Sequence, residues 1–232
     1  MAVKHAELPG IGKVTLYKRR GNRKISLSLS HDGQIRISLP MWVPYRAGLE
    51  FAKSRAAWLT SRQAKLQNVS VNGQAIGKAH HLSLQADSST TKITTRLLDS
   101  DVMVRFPSKL QPDDPAVQKA VRTASLRALR KEAEQLLPQR VAMLARQHDF
   151  TYKDVHLRHL KSRWGSCNSV GSITLNIYLM QLPWHLIDYV LLHELVHTKV
   201  LRHGPDFWRL FEQYLPDAKK MRKDIQLHLP TF

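Results

Sequence analysis

The sequence predicts an α+β fold: a β-rich amino-terminal region with one helix, then a domain of two long helices and a small sheet. Three observations predict it. Apolar and polar residues alternate in several runs up to Phe106, the period of half-buried strands. From Pro115 onward apolar residues recur at steps of three and four, the period of a helix. The stretch His193-Glu194-Leu195-Val196-His197 sits in an apolar run that begins at Trp184. These shifts place a domain boundary near residue 112, separating residues 1–112 from 113–232.

Ile25, Leu27 and Leu29 alternate with polar residues, as do Ile35, Ile37 and Leu39. The His31-Asp32-Gly33 turn between them marks a hairpin. Pro44 to about Leu66 reads as a helix, with Phe51, Ala52, Trp58 and Leu59 on its buried side. Period two returns in Leu82 and Leu84, in Ile93, Thr95 and Leu97, and in Val102, Val104 and Phe106. Ser88 to Thr91 turns between two of these strands.

Asp114 and Pro115 then mark a helix start, one as cap and the other at the first helical position. Val117, Val121, Ala124 and Ala128 give this helix an apolar stripe, widened by Leu129, Ala133 and Leu136. It is expected to back the helix of residues 184–197, and Pro138 to kink or end it. Val155 and Leu157, and residues 172–179, read as strands.

Thirty-six Lys and Arg face eighteen Asp and Glu, a formal charge of +18. Such a surface attracts polyanions, so nucleic acid is a possible partner. No helix-turn-helix, zinc knuckle or aromatic-rich RNA-binding pattern accompanies the charge. A single cysteine excludes an internal disulfide framework. No apolar run is long enough to span a membrane, and the first residues lack the apolar core of a signal peptide. A cytoplasmic protein is expected.

On a helix, residues four apart lie one above the other. His193 and His197 can therefore reach one zinc ion, at about 2.0–2.1 Å each. Glu194, one step round the helix, is placed to act on an activated water as general base. The flanking residues are apolar in nearly every direction, which marks a largely buried helix. Buried His, Glu and His without partners would be costly, and a metal ion resolves that conflict.

Catalytic zinc usually has three protein ligands and one open position. His203 is the third candidate. In a continuing helix it would lie about 9 Å beyond His197, so the chain must turn back between Thr198 and Arg202. Gly204 and Pro205 suit a chain that has left the helix. The spacing matches H-E-x-x-H-x-x-G-x-x-H, except that Val200 stands at the glycine position. A β-branched residue is disfavoured at positive φ, so a turn of another shape is expected. No Met-turn is evident, because Met221 lies in the basic run Lys219 to Lys223, which reads as a solvated helix face. Glu212 and His228 are rival third ligands. Cys167 reads as a small packed residue rather than a nucleophile or fourth ligand. Phe207 and Trp208 read as core residues that fix the loop of His203.

The run Lys161-Ser162-Arg163-Trp164-Gly165-Ser166-Cys167, then Ile173-Thr174-Leu175-Asn176, Tyr189-Val190, His203-Gly204 and Phe207-Trp208, resembles the YgjP-like metal-dependent hydrolases. More distantly it resembles the SprT-like and Wss-type zinc proteases. The specific likeness covers about residues 155 to 230. A weaker one reaches the amino-terminal region. The resemblance implies a zincin-like catalytic domain with one zinc ion per chain, held by His193, His197 and His203. Glu194 is then the base and a peptide or protein the substrate. One departure is His203-Gly204, where His-Ser is expected in many relatives; it touches the turn and not the ligand.

By the same resemblance, residues 173–179 border the cleft and take substrate as an added strand, with Ile173 and Leu175 among the substrate-binding residues. A core strand without a ligand is the open alternative. Arg163 is a candidate substrate ligand, with a structural ion pair as the other reading. Tyr214, Arg163 or a strand amide are candidates for a second oxyanion donor. A zinc protein or protease acting at DNA or RNA, a hydrolase of small amides, and a closed structural zinc site are the alternative functions.

Overall fold

The computed structural model describes residues 3–29, 34–60, 69–160 and 163–228. The chain forms two compact units, residues 1–68 and 69–230, each with its own core.

In the first unit, β1 (Val3–Leu8), β2 (Gly12–Arg19), β3 (Ser26–Leu29) and β4 (Ile35–Pro40) make one sheet in the order β1-β2-β4-β3. β2 and β4 are parallel, and the other pairs are antiparallel. The alternation read from the sequence sets the register: Leu27 faces Ile37 and Leu29 faces Ile35. Val14, Leu16, Ile35, Ile37 and Leu39 form the core with Ala52 and Leu59. The expected His31-Asp32-Gly33 turn lies outside the described residues.

Helix α1 spans Tyr45–Lys53, and further helical turns run over residues 56–60. The stretch expected to continue to Leu66 lies outside the described residues. Ala52 and Leu59 are buried, but Trp58 is 39% exposed. The helix tightens where Arg55 N donates to Ala52 O at 3.1 Å; Ala52 and Leu59, seven residues apart, share one side, and Trp58 lies about 100° round from it.

In the second unit, β5 (His81–Asp87), β6 (Thr94–Leu97) and β7 (Asp101–Pro107) form a sheet in the order β5-β7-β6. Helix α2 (Pro115–Gln147) follows, and Asp114 caps it by accepting from Ala116 N at 2.8 Å. Val102, Val104 and Phe106 share one core with Val117, Val121 and Leu129 of α2. The division between units therefore falls at residue 68, not near 112. Pro112 marks a loop within one core. Pro138 does not end α2. It forfeits one helical bond, but the helix runs on through Leu137, Val141, Leu144 and Ala145, all buried.

Strands β8 (Asp154–Arg158), β9 (Gly165–Cys167) and β10 (Ser172–Asn176) form a third sheet in the order β8-β10-β9. The strand expected to reach residue 179 stops at Asn176. A 3-10 turn, Ile177–Gln181, succeeds it, buried from Ile177 to Met180. The helices α3 (Trp184–Val196), α4 (Pro205–Tyr214) and α5 (Ala218–Ile225) complete the unit. Among the described residues no helix is long and apolar enough to cross a membrane.

Two polar ties hold this scaffold. Arg140 of α2 grips Asp188 of α3 with two bonds of 2.7 and 2.6 Å, the bidentate geometry that fixes orientation. Glu132 of α2 is 2% exposed. Its carboxylate accepts from the amides of Lys78 (2.6 Å) and Ala79 (3.0 Å) and pairs with His80 Nδ1 at 2.6 Å. Gly77 sits at φ +109°, and a Cβ there would meet Glu132 Oε2 at 2.3 Å. Glycine is thus required twice over, by the backbone and by the close carboxylate.

Removing this carboxylate leaves the buried His80 Nδ1 and the part-buried amides of Lys78 and Ala79 without their acceptor. Glu132→Ala is expected to cost about 3 kcal/mol, read as a lower urea midpoint. An unchanged midpoint would mean that water satisfies the loop instead.

Candidate metal centre

The apolar residues around α3 bury it on nearly every side: Leu186, Ile187, Leu191, Leu195 and Val196 are each 1% exposed or less. His193 and His197 lie one turn apart on it. The helix ends at Val196 with His197 as its cap. The chain then tightens, with Thr198 N on Leu195 O at 3.0 Å and Val200 N on Val196 O at 2.9 Å. Thr198 Oγ1 also donates to Leu195 O at 2.7 Å. Among the described residues Asp149 alone, apart from glycines, has positive φ, so Val200 turns without the left-handed conformation. Pro205 then starts α4, with Gly204 as cap.

That reversal brings His203 back to the other two imidazoles. His203 Nε2 stands 2.9 Å from His193 Nε2 and 3.1 Å from His197 Nε2. All three ligand atoms lie within 4.8 Å of one another. Nitrogens sharing a tetrahedral zinc at about 2.0–2.1 Å stand roughly 3.3 Å apart, so the spacing fits such an ion. Burial, and then the neighbouring His197, His203 and Arg222, push the His193 imidazole down to about 3. Burial also lowers His197. Both are therefore in the neutral form that ligates metal. His197 Nδ1 meets Val200 O at 3.1 Å, the outer bond that leaves Nε2 as the ligating nitrogen. The Nδ1 of His193 is buried without such a partner among the described residues.

An aromatic wall stands behind the triad. The Phe207 ring lies 4.5 to 4.8 Å from all three imidazoles. Phe207 and Phe211 are fully buried. Trp208 is half-buried, with its ring 6.3 Å from His193 and from His203. Both aromatics expected to fix the His203 loop are therefore packed against it.

Glu194 is 5% exposed. Burial pushes its carboxyl up to about 8, against the pull of Arg163 and of a bond from the Cys167 amide. A cation on the three imidazoles would add a further pull toward the ionised form. Its Oε2 has no hydrogen-bond partner among the described groups. Strand β9 packs directly on this carboxylate. A Cβ at Gly165 would stand 2.7 Å from Glu194 Oε1 and 2.9 Å from Cγ, so only glycine lets strand and carboxylate approach.

β9 is itself held by Asn176, which is fully buried. Its Nδ2 donates to Leu160 O and Arg163 O, each at 2.8 Å. Its Oδ1 accepts from Tyr178 N at 3.2 Å. Neither Gly165 nor Asn176 has a role in the sequence reading, although both fall in its motifs. The small residue in Trp-Gly-Ser-Cys and the polar residue ending an apolar strand were the available signals. Tyr189 is a third such residue, one turn before His193, with its ring 6.1 Å from that imidazole.

The other expected residues sort differently. Ile173 and Leu175 are buried on β10, which is the central strand with neighbours on both sides. They cannot receive an added strand, and the edge strand at the site is β9. Tyr214 packs on Phe150 and His148, at ring distances of 4.8 and 5.2 Å. No contact of its ring with the triad is seen. Arg163 is exposed, close enough to Glu194 to act on its charge. Glu212 pairs with Lys219 at 2.9 Å, and neither it nor His228 joins the converging group. Burial and Glu194 push the Cys167 thiol up to about 11, so it stays neutral. Met221 is half-buried against the core and not on a wholly solvated face.

A family model described as YgjP-like, metallopeptidase domain, matches residues 23–228. Two solved structures are similar to the chain. The metallopeptidase zymogen abylysin of Pyrococcus abyssi is 25% identical over 41% of this chain and 97% of its own, with a TM-score of 0.38. The metallopeptidase zymogen jannalysin of Methanocaldococcus jannaschii is 20% identical over 38% and 90%, with a TM-score of 0.34. The chain matches no curated protein.

Replacing His193 or His203 by Ala removes one of three donors. Each variant is expected to lose its stoichiometric metal on dialysis, as measured by elemental analysis. Retention of one ion per chain in both would place the ion elsewhere.

Proposed function

The chain belongs to the YgjP-like metallopeptidase family, and on that premise we propose that it hydrolyses peptide bonds with one zinc ion per chain and Glu194 as general base. The observation that carries this reading is the convergence of three imidazole nitrogens beside a buried carboxylate with one unpartnered oxygen. His193, His197 and His203 would hold the ion. When bound, zinc supplies Lewis acidity, lowering the pKa of a water to about 7 and polarising a carbonyl oxygen.

The chain's own groups do the rest. Glu194 takes the proton of the attacking water at its free oxygen and delivers it to the leaving amine nitrogen. Its other interactions, the Cys167 amide and the charge of Arg163, favour the ionised carboxylate that accepts a proton. Strand β9 holds that carboxylate in place. As an edge strand, it is also the one available to pair with an extended peptide, whose main-chain bonds tolerate many sequences. Arg163, beside Glu194, is the candidate for a second contact to the developing oxyanion. A small amide would meet the same groups, and a peptide-library digest separates the two substrate classes.

Glu194→Gln is expected to keep its zinc and lose hydrolysis of a casein or peptide-library substrate. Full activity in that variant would rule out the base. Gly165→Ala is expected to keep zinc and lower kcat by about a hundredfold, the scale of a misplacement near 1 Å. Wild-type kcat in Gly165→Ala would show that β9 does not position the carboxylate.

A further inference from the structure

The excess of positive charge is unevenly spread. Residues 1–68 carry thirteen Lys and Arg against three Asp and Glu, a net +10 of the total +18 in less than a third of the chain. The sheet topology gathers much of this charge at one end. β2 and β4 run parallel and finish together, with Lys18 opposite Leu39 and Arg19 opposite Pro40. β3 starts at that same end, with Ser26 opposite Ser38. β1 starts there too, with Val3 opposite Tyr17. Lys4, Lys18, Arg19 and Arg20, and the Arg23-Lys24 approach to β3, therefore share one end of the sheet.

The two acidic residues of this unit that lie among the described residues are placed differently. Glu7 faces Lys13 at the opposite end of the β1–β2 pair, and Glu50 pairs with Lys53. Arg19, Arg20, Arg23 and Lys24 are all exposed. Among the described residues none of them is in an ion pair. Four uncompensated cations in six positions repel one another, and a polyanion relieves that repulsion.

The loop after β4 adds an aromatic plate. Trp42 is 71% exposed and Met41 46%. Lys18 Nζ donates to Met41 O at 3.0 Å and lies 5.0 Å from the Tyr45 ring centroid. The loop that offers the indole is thus tied to the cationic strand end. A solvated charge face needs no such indole. An acidic peptide would use the cations but not the plate. A lipid surface requires a larger apolar area than Val3, Met41 and Trp42 provide. Cations that follow a backbone, with an aromatic face for stacking, are the two parts of a single-strand site.

We propose that this end of the amino-terminal sheet binds single-stranded nucleic acid, with phosphates on Arg19, Arg20, Arg23 and Lys24 and a base stacked on Trp42. The site stands independently of the metal centre and needs no peptidase activity.

The test is fluorescence anisotropy of a labelled oligothymidylate titrated with the full chain at several salt concentrations. Removing four phosphate contacts in Arg19→Ala/Arg20→Ala/Arg23→Ala/Lys24→Ala is expected to weaken binding more than tenfold at low salt. It should also flatten the log–log salt slope by roughly 2 to 3. Trp42→Ala is expected to weaken binding about tenfold with the salt slope unchanged. The control Lys219→Ala/Lys220→Ala/Lys223→Ala, on α5, should bind as wild type. If the fourfold variant loses its circular dichroism signal, Trp42→Ala decides alone. The proposal fails if Trp42→Ala binds as wild type, or if the α5 control loses as much affinity as the fourfold variant. It also fails if polyglutamate or anionic vesicles compete as well as unlabelled oligonucleotide.

Discussion

The second unit is organised around one electrostatic conflict: three imidazole nitrogens converge in a pocket walled by aromatic rings. In the tautomer that ligates metal, with the proton on Nδ1, the three Nε2 lone pairs point at one another across 2.9 and 3.1 Å. Protonating them is no remedy, because burial and mutual repulsion hold His193 far below its usual range. A divalent cation is the group that turns this repulsion into attraction. Binding energy for such an ion then becomes folding energy for the segment that must turn back to supply His203. Phe207, in contact with all three rings, ties the start of α4 to that same outcome.

The carboxylate beside the triad poses the converse problem. A buried Glu194 prefers to be neutral, and the proposed base role requires it ionised. The fold answers with short-range structure, since few charges stand nearby. Asn176 grips the segment leading into β9, β9 carries the Cys167 amide to the carboxylate, and Gly165 removes the side chain that would hold the two apart. The chain from Asn176 to Glu194 is one continuous series of contacts in which each residue acts through the next. Behind it, the bidentate Arg140–Asp188 tie and the buried Glu132 keep α2 against its neighbours. They set the platform on which α3 rests.

What the sequence discloses follows from how local each feature is. The i, i+4 relation of His193 and His197 is fixed by helix geometry, so it is legible in five residues. The same holds for the Asp114 cap and for the alternation that sets Leu27 against Ile37. The return of His203 is half legible: the helix rise demands a reversal, but its shape depends on bonds such as Val200 N to Val196 O. Strand order is not legible at all. The β-formers of β10 make it legible as a strand, and resemblance alone gives it the substrate role; that composition equally suits a central strand, and only the pairing with β8 and β9 decides. The boundary near residue 112 misleads for a similar reason. Prolines and acids mark a loop, whereas the apolar faces of β7 and α2 meet across it. Tyr214 carries a hydroxyl, but the packing of Phe150 and His148 against its ring is a long-range fact.

The identity of the neighbours also argues about what kind of centre this is. A structural zinc site closes with four protein ligands, and thiolate is the commonest of them. Cys167 is the single cysteine, and it lies near Glu194. Yet its thiol is pushed up to about 11, first by burial and then by that same carboxylate. The backbone of Cys167, not its sulfur, serves the site, through its amide. Glu194 in turn is held by that amide and by the close backbone of Gly165, so it is retained as a neighbour to the triad and is not one of its converging members. Among the described residues the converging group therefore has three nitrogens and an adjacent carboxylate. That division of labour suits an ion that exchanges a fourth ligand, and it would be a poor design for one that only ties two segments together.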